Sequence, residues 1–228
     1  RAEADRVEDP VSGAETSIDG RWHDVVGSLR LVQALDDAGD VNLYTGVSQA
    51  FRAPNLSDLT RLDTARSHEI ETPVADLDPE HYVSIEAGFK GRTEAVGVEV
   101  AAYHTVIDDM IVRTPTGRVI DGDNEVTKRN SGSGFVQGLE ARVAWMFDEH
   151  WTLRAEAGWM DGEVDTYPSS APQTVSETID RLPPLACRLA LQWDDGGRWW
   201  AESSLALAER ADQLSTRDRE DTQRIPPG

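Results

Sequence analysis

The chain has 228 residues, a formal net charge of −20 and one cysteine. That length allows one or two domains, and so acidic a balance excludes a binder of phosphate backbones, which needs clustered Lys and Arg. The lone Cys187 excludes an internal disulfide framework, and no apolar run approaches 18 residues, so no transmembrane helix is expected.

The first twenty residues, with Glu3, Asp5, Glu8 and Asp9, read as an acidic loop or tail. From residue 21 onward, strand-like runs fall near 24–35, 41–50, 82–91, 95–112, 134–147, 151–164, 184–194 and 198–208. Short turns join them at Asp36–Asp40, Gly91–Glu94, Asp148–His150 and Asp194–Arg198. Long polar loops fill 51–81, 113–131, 165–183 and 209–228, and no repeat of fixed 20–50-residue period stands out. Tight turns at one rim and long loops at the other are the plan of an outer-membrane barrel. A soluble sandwich distributes its loops less regularly.

The strand faces point the same way. In 135–147 the odd positions are Phe135, Gln137, Leu139, Ala141, Val143, Trp145 and Phe147, while Glu140 and Arg142 fall on the even side. In 151–159 Trp151, Leu153, Ala155, Ala157 and Trp159 oppose Thr152, Arg154 and Glu156. In 185–193 Leu185, Cys187, Leu189, Leu191 and Trp193 oppose Arg188 and Gln192. Each apolar face is nearly free of charge along its middle, as lipid requires, because Lys or Arg at the midplane costs about 2–4 kcal/mol.

Aromatics mark the edges of that face. Phe89, Phe147, Trp151, Trp193 and Trp199 flank the short turns, as one interfacial girdle would. Trp159 lies eight residues beyond Trp151 on the same face, roughly 26 Å along a strand. At a tilt near 40° this becomes about 20 Å of height, close to an apolar band of about 25 Å.

Specific motifs lie at the strand ends: Phe-Arg-Ala-Pro-Asn at 51–55, Leu-Asp-Pro-Glu at 77–80 and Ile-Glu-Ala-Gly-Phe-Lys at 85–90. Asn130 leads to Gly138-Leu139-Glu140, and the chain ends Arg224-Ile225-Pro226-Pro227-Gly228. In order and spacing these motifs resemble the barrel domain of TonB-dependent outer-membrane receptors, from about residue 40 to the end. The first twenty residues match none of them. The resemblance implies an all-β fold: an antiparallel transmembrane β-barrel segment of about eight strands, cut from a 22-stranded barrel. It also implies that the plug domain and closing strands lie outside this sequence, which therefore reads as a fragment of a longer protein. An open eight-strand piece would leave two long edges unpaired.

Catalytic and metal chemistry find little support. His23, His68, His81, His104 and His150 are scattered without metal-binding spacing. There is no G-x-S-x-G elbow or Cys/His pair. Asp121-Gly122-Asp123-Asn124-Glu125 fails the EF-hand spacing and reads as a solvated loop tip. His104 is unusual in falling on an apolar face, at interface height beside Tyr103. Arg52 and Asn55 stand out in the FRAPN turn, either pinning the loop base through hydrogen bonds to backbone carbonyls or touching a ligand. Glu86 and Glu140 read as lumen residues in polar networks.

The resemblance implies an outer-membrane receptor, not an enzyme. It would take up a scarce large solute, such as a ferric siderophore, haem or cobalamin, with energy from a TonB complex that docks on a region absent here. Its partners would be outer-membrane lipid, that complex and an iron-chelate or similar solute, with no cofactor and no nucleic acid. A passive channel or structural outer-membrane barrel, an outer-membrane barrel enzyme and a soluble β-sandwich binding module are the alternatives. A plug and docking motif upstream would favour the receptor over the pore, and solubility without detergent would favour the sandwich.

Overall fold

The computed structural model describes residues 2–8, 15–61, 63–66 and 68–220. Asp9, Asp221 and the Arg224–Gly228 motif lie outside the described residues. Strands β1 (Ala2–Glu8) and β2 (Glu15–Gly20) pair as an antiparallel hairpin, where the sequence suggested only an acidic loop or tail. Next come β3 (Ser28–Ala34) and β4 (Val41–Arg52), then the short helix α1 (Leu56–Thr60) and small strands β5 (Asp63–Arg66) and β6 (Glu69–Thr72). The long strands β7 (Glu80–Arg92), β8 (Val96–Ile120), β9 (Asp123–Asp148) and β10 (Trp151–Thr166) follow. The chain then forms β11 (Val175–Thr178), β12 (Ala186–Asp194), β13 (Trp200–Ala208) and the helical turn α2 (Thr216–Glu220).

Eight of these strands form one antiparallel wall in the order β3-β4-β7-β8-β9-β10-β12-β13. Each of the eight expected runs is present. Two expected loops are more ordered than their composition suggested. Residues 113–131 carry β8 and β9 on to a turn at Asp121-Gly122, where both residues have positive φ. Residues 51–81 hold α1, β5 and β6, and β6 adds to β9 in parallel.

The register confirms two chemically different faces. Leu31, Thr45, Ala87, Ala102, Leu139 and Trp159 lie side by side across six strands. Toward the short turns the same face carries Val41, Gly91, Val98, Val143, Ala155, Leu189 and Leu205. Among the described residues no second protein layer covers it: Val143 is 38% exposed and Leu189 43%. On the opposite face Asn42, Lys90, Glu99, Arg142, Glu156 and Arg188 are direct cross-strand neighbours. The charges in this row alternate in sign, the favourable arrangement for opposed side chains. Nearby, Arg188 and Arg154 both reach Glu202, at 2.9 and 3.5 Å.

Two motif glycines have a packing reason on this polar face. A Cβ at Gly88 would lie 2.2 Å from the ring of Tyr44, and one at Gly138 2.5 Å from the hydroxyl of Tyr103. Each tyrosine lies across a bare stretch of backbone on the next strand, a close approach that glycine permits.

The well-buried side chains gather at the end of the wall where the long connections meet. Ile18, Leu59, Leu77 and Ile111 form a small core with Trp22 and Val74 packed on it. Among the described residues no helix is long and apolar enough to cross a membrane, which leaves strands free to do so.

Candidate functional site

The FRAPN segment ends β4 because Pro54 has no N–H for the ladder. Asn55 then caps α1: its Oδ1 accepts from the Asp58 N–H at 3.1 Å, and Asp58 accepts in return from the Asn55 N–H at 3.1 Å. This reciprocal pair satisfies two otherwise orphaned helix donors. Arg52 lies beneath it and donates to carboxylates rather than to backbone carbonyls. Its Nε and Nη2 reach Glu80 at 2.6 and 2.7 Å, and Nη1 reaches Asp58 at 2.8 Å.

Glu80, from the LDPE turn, is the hub. It is buried, pairs with Arg52 across β4 and β7, and also accepts from the Tyr82 hydroxyl and the Ile111 N–H. Burial pushes its carboxyl up, but Arg52, Tyr82 and the Ile111 N–H outweigh this and hold it below the usual range. Burial and the Glu80 charge together push the Tyr82 hydroxyl up to about 12.

Asn130 joins the same junction. Its Nδ2 donates to the carbonyls of Asp78 and Asp109, each at 2.8 Å, and its Oδ1 accepts from the Asp78 N–H at 2.9 Å. Three motifs separated by some 25 to 80 residues of chain therefore meet at one loop base. Trp22 closes the junction by donating from Nε1 to the Leu77 carbonyl at 2.8 Å.

Above the junction, β6 lies against the extended β8–β9 hairpin and brings buried acids with it. Glu125 takes Arg118 at 2.6 and 2.7 Å and hydroxyls from Thr72 and Thr116. Burial pushes Glu125 up, but these donors win and leave it lowered. It is the last member of the acidic DGDNE run and is buried, whereas the sequence placed that run in a solvated tip. Glu71 is 1% exposed and has no hydrogen-bond donor among the described residues, with Arg61 at 3.8 Å and Lys128 at 3.9 Å. Burial lowers the Lys128 ammonium, and the Glu71 charge opposes that shift.

The remaining long connections are tied in as well. Ser170 donates to Glu69 at 2.7 Å. The Thr216 N–H reaches Glu177 at 2.8 Å, and Asp218 accepts from the Arg181 N–H at 2.7 Å. The long-connection end of the wall is thus a lobe of linked loops, not a fringe of independent ones. Asp58, Glu71, Glu80 and Glu125 were not singled out from sequence as partners. The Asn55-x-x-Asp58 spacing, close to a capping-box signature, is the one signal that could have found any of them.

The expected girdle residues occupy the short-turn end of the apolar face. Trp151 pairs with Trp193 across β10 and β12, Phe147 is exposed, Phe89 is half-buried and Trp199 sits in the β12–β13 turn. Trp159 lies farther along that face, beside Leu139. His104 shares the apolar face, stacked on Phe135 at 5.4 Å, with Tyr103 turned to the other side. Cys187 lies on the same face between Ala157 and Leu207. Among the described residues no group of three His, Cys, Asp or Glu could hold a metal ion.

Comparison with known proteins bears directly on this architecture. A protein-family model described as TonB dependent receptor-like, beta-barrel matches residues 3–226, including residues 3–20, which carry none of the motifs. No curated protein matches the sequence. Among solved structures, the chain resembles the Serratia marcescens hemophore receptor HasR, in complex with its hemophore HasA and heme. The TM-score is 0.65 at 16% identity, covering 87% of this chain and 35% of that one. Copper transporter OprC gives a TM-score of 0.63 at 17% identity, covering 83% of this chain and 27% of that one. The ferric yersiniabactin uptake receptor FyuA from Yersinia pestis gives 0.53 at 18% identity, covering 86% and 27%. At these identities the likeness speaks for the fold, and this chain spans about a third or less of each structure's length. The near-complete family match, carried by an antiparallel wall with one apolar and one charged face, makes this chain a member of the TonB-dependent receptor β-barrel family.

Proposed function

We propose that the full-length protein is an outer-membrane receptor for energised uptake of a scarce large solute such as a ferric siderophore, haem or cobalamin. The observation that carries the reading is the two-faced wall of the family's barrel, topped at one end by a built lobe of linked loops. In this reading the apolar face meets outer-membrane lipid. Phe89, Phe147, Trp151, Trp193 and Trp199 would lie at one interface, and Trp159 at the other. The lobe projects outward and supplies recognition, as loops on a rigid scaffold commonly do. Arg52 and Asn55 hold the loop base and leave solute contact to residues above them. Coupling to a TonB complex requires a segment outside this chain, and a 22-stranded closure would complete the wall. The assigned role is transport, with no covalent chemistry.

Neighbours described as ferric yersiniabactin, hemophore and copper proteins support the class without selecting among its solutes. The test uses the purified full-length protein in detergent, with ferric catecholate and hydroxamate chelates, haemin and cobalamin as probes. Saturable binding of one probe, with TonB-dependent uptake of that probe in cells, is the expected result. Steady ion conductance in planar bilayers without saturable binding of any probe would favour the passive channel instead.

A further inference from the structure

The wall's alternation turns neighbouring residues to opposite sides, and the strand start Glu80-His81 uses both. Glu80 faces the polar side and holds the 51–81 connection through Arg52 and Asp58. His81 faces the apolar side, beyond Val83 and above the band of large apolar residues. There its Nε2 lies 2.8 Å from Asp24 in residues 21–27, the connection from β2 to β3, and its Nδ1 lies 3.4 Å from Asp109 in β8.

Carboxylates only accept hydrogen bonds, so each contact needs an N–H on the ring. Neutral imidazole has one N–H and imidazolium has two. The two contacts can therefore coexist only when His81 is protonated. Asp109 has a φ of 56°, a left-handed conformation that disfavours most non-glycine residues, at the irregularity where β8 leaves its regular register. Its carbonyl accepts from Asn130, so the carboxylate facing His81 is carried on backbone fixed from another strand.

We infer that His81 is a pH-sensitive latch, which in its protonated form ties residues 23–26 of the β2–β3 connection to the β8 shoulder and lets that segment loosen when it loses its proton. The carboxylates around the ring agree in sign, and His23 is the basic group beside them. Asp24 and Asp109 contact the ring, Asp108 is its cross-strand neighbour, and His23 lies next to Asp24 in the chain. The Asp24 contact, opposed by slight burial and helped by Asp109, raises the His81 imidazolium above its ordinary range. Asp24 is lowered, first by the Val25 N–H and then by His81. The latch is complete below the ordinary histidine range and is lost as pH rises through the raised value. At its acid limit it is lost only as pH falls through the lowered Asp24 value. What it releases is small. Trp22 stays bonded to Leu77, and the Gly27 carbonyl still accepts from the Gln49 N–H, so the opening is confined between those two anchors.

The test places spin labels at Val25 and Val119, both exposed, in the full-length protein carrying Cys187→Ser, and reads the distance distribution at intervals from pH 5 to pH 9. The expected result is a narrow distribution at pH 5 that becomes about twofold broader by pH 9. His81→Gln should give the broad distribution at every pH. Asp24→Asn, on an exposed connection, should do the same and serves if the strand variant fails to assemble. A distribution in the parent protein that does not change between pH 5 and pH 9 would overturn the latch. So would a pH response that survives in either variant, which would place the titrating group elsewhere. Neither result touches the transport reading, which rests on other residues.

Discussion

The wall and the lobe are made by the same chain and held together in different ways. In the wall the backbone ladder satisfies the polar groups, and large side chains such as Leu31, Leu189 and Leu205 remain well exposed. Its charged side chains pair across strands in the open, as in the Lys90–Glu99 and Arg188–Glu202 bridges. The lobe has the anatomy of a small water-soluble protein. It has a core of Ile18, Leu59, Leu77 and Ile111 and buried carboxylates, most of them held by specific donors. In the proposed reading the wall is completed by lipid and further strands, whereas the lobe already contains what stabilises it. One substitution can therefore damage one region and spare the other.

The sharpest way to break that comparison is to put a charge on the apolar face. Val143→Arg should destabilise the full-length protein in a bilayer by about 2–4 kcal/mol, whereas Ser204→Arg on the polar face should cost well under half as much. Equilibrium unfolding from lipid vesicles measures both, and equal costs would mean that lipid does not meet the Val143 face.

Next comes the hub of the lobe. Glu80→Ala leaves Arg52, the Tyr82 hydroxyl and the Ile111 N–H without their acceptor. Losing one partner of a buried pair costs about 3–5 kcal/mol, and the partial exposure of Arg52 reduces this to about 2–3. Hydrogen exchange should speed up across 53–79 and leave the centres of β9 and β10 unchanged. The same junction has a pH signature. Because Glu80 is lowered in the folded state, its contribution is full above the ordinary glutamate range and is lost as pH falls through the lowered value. Amides of 53–79 should therefore lose protection in acid before those of the wall, after correction for intrinsic exchange.

A smaller effect separates two glycines of the wall. A Cβ at Gly134 would lie 2.3 Å from the Glu163 carbonyl oxygen, which is backbone and yields poorly. At Gly138 it would meet the outer end of Tyr103, which can swing away. Gly134→Ala should cost about 1–2 kcal/mol and Gly138→Ala less, by the same unfolding measurement. Smallest of all, Arg142→Gln in the charge row should cost under about 1 kcal/mol, because exposed ion pairs contribute little.

The same division governs what could be read from the sequence. Every wall strand was legible because lipid-compatible and polar residues alternate with period two, as in Trp151–Trp159. The extension of β8 and β9 was not. Arg113 to Arg118 contains Pro115 and Gly117 and is polar on both faces, and a hairpin that buries polar groups such as Thr114, Glu125 and Thr127 beside β6 shows no apolar alternation. The lobe's partners were hidden for a related reason. Arg52 and Glu80 are 28 residues apart and meet only because β4 pairs with β7. The motif letters located the junction and could not say which carboxylate the guanidinium would choose.

The charge row has one more consequence, for assembly. Alternation alone detects a strand that slides by one residue, since every side chain then changes sides, but it is blind to a slide of two. Glu140 stands two residues before Arg142 on the same face. A two-residue slide in one direction would set Glu99 against Glu140 across β8 and β9, and the equivalent slide of β10 would set Glu156 against Glu140. Like charges directly opposed are unfavourable, so this short run of side chains works as a vernier that checks the alignment which greasy and wet sides cannot.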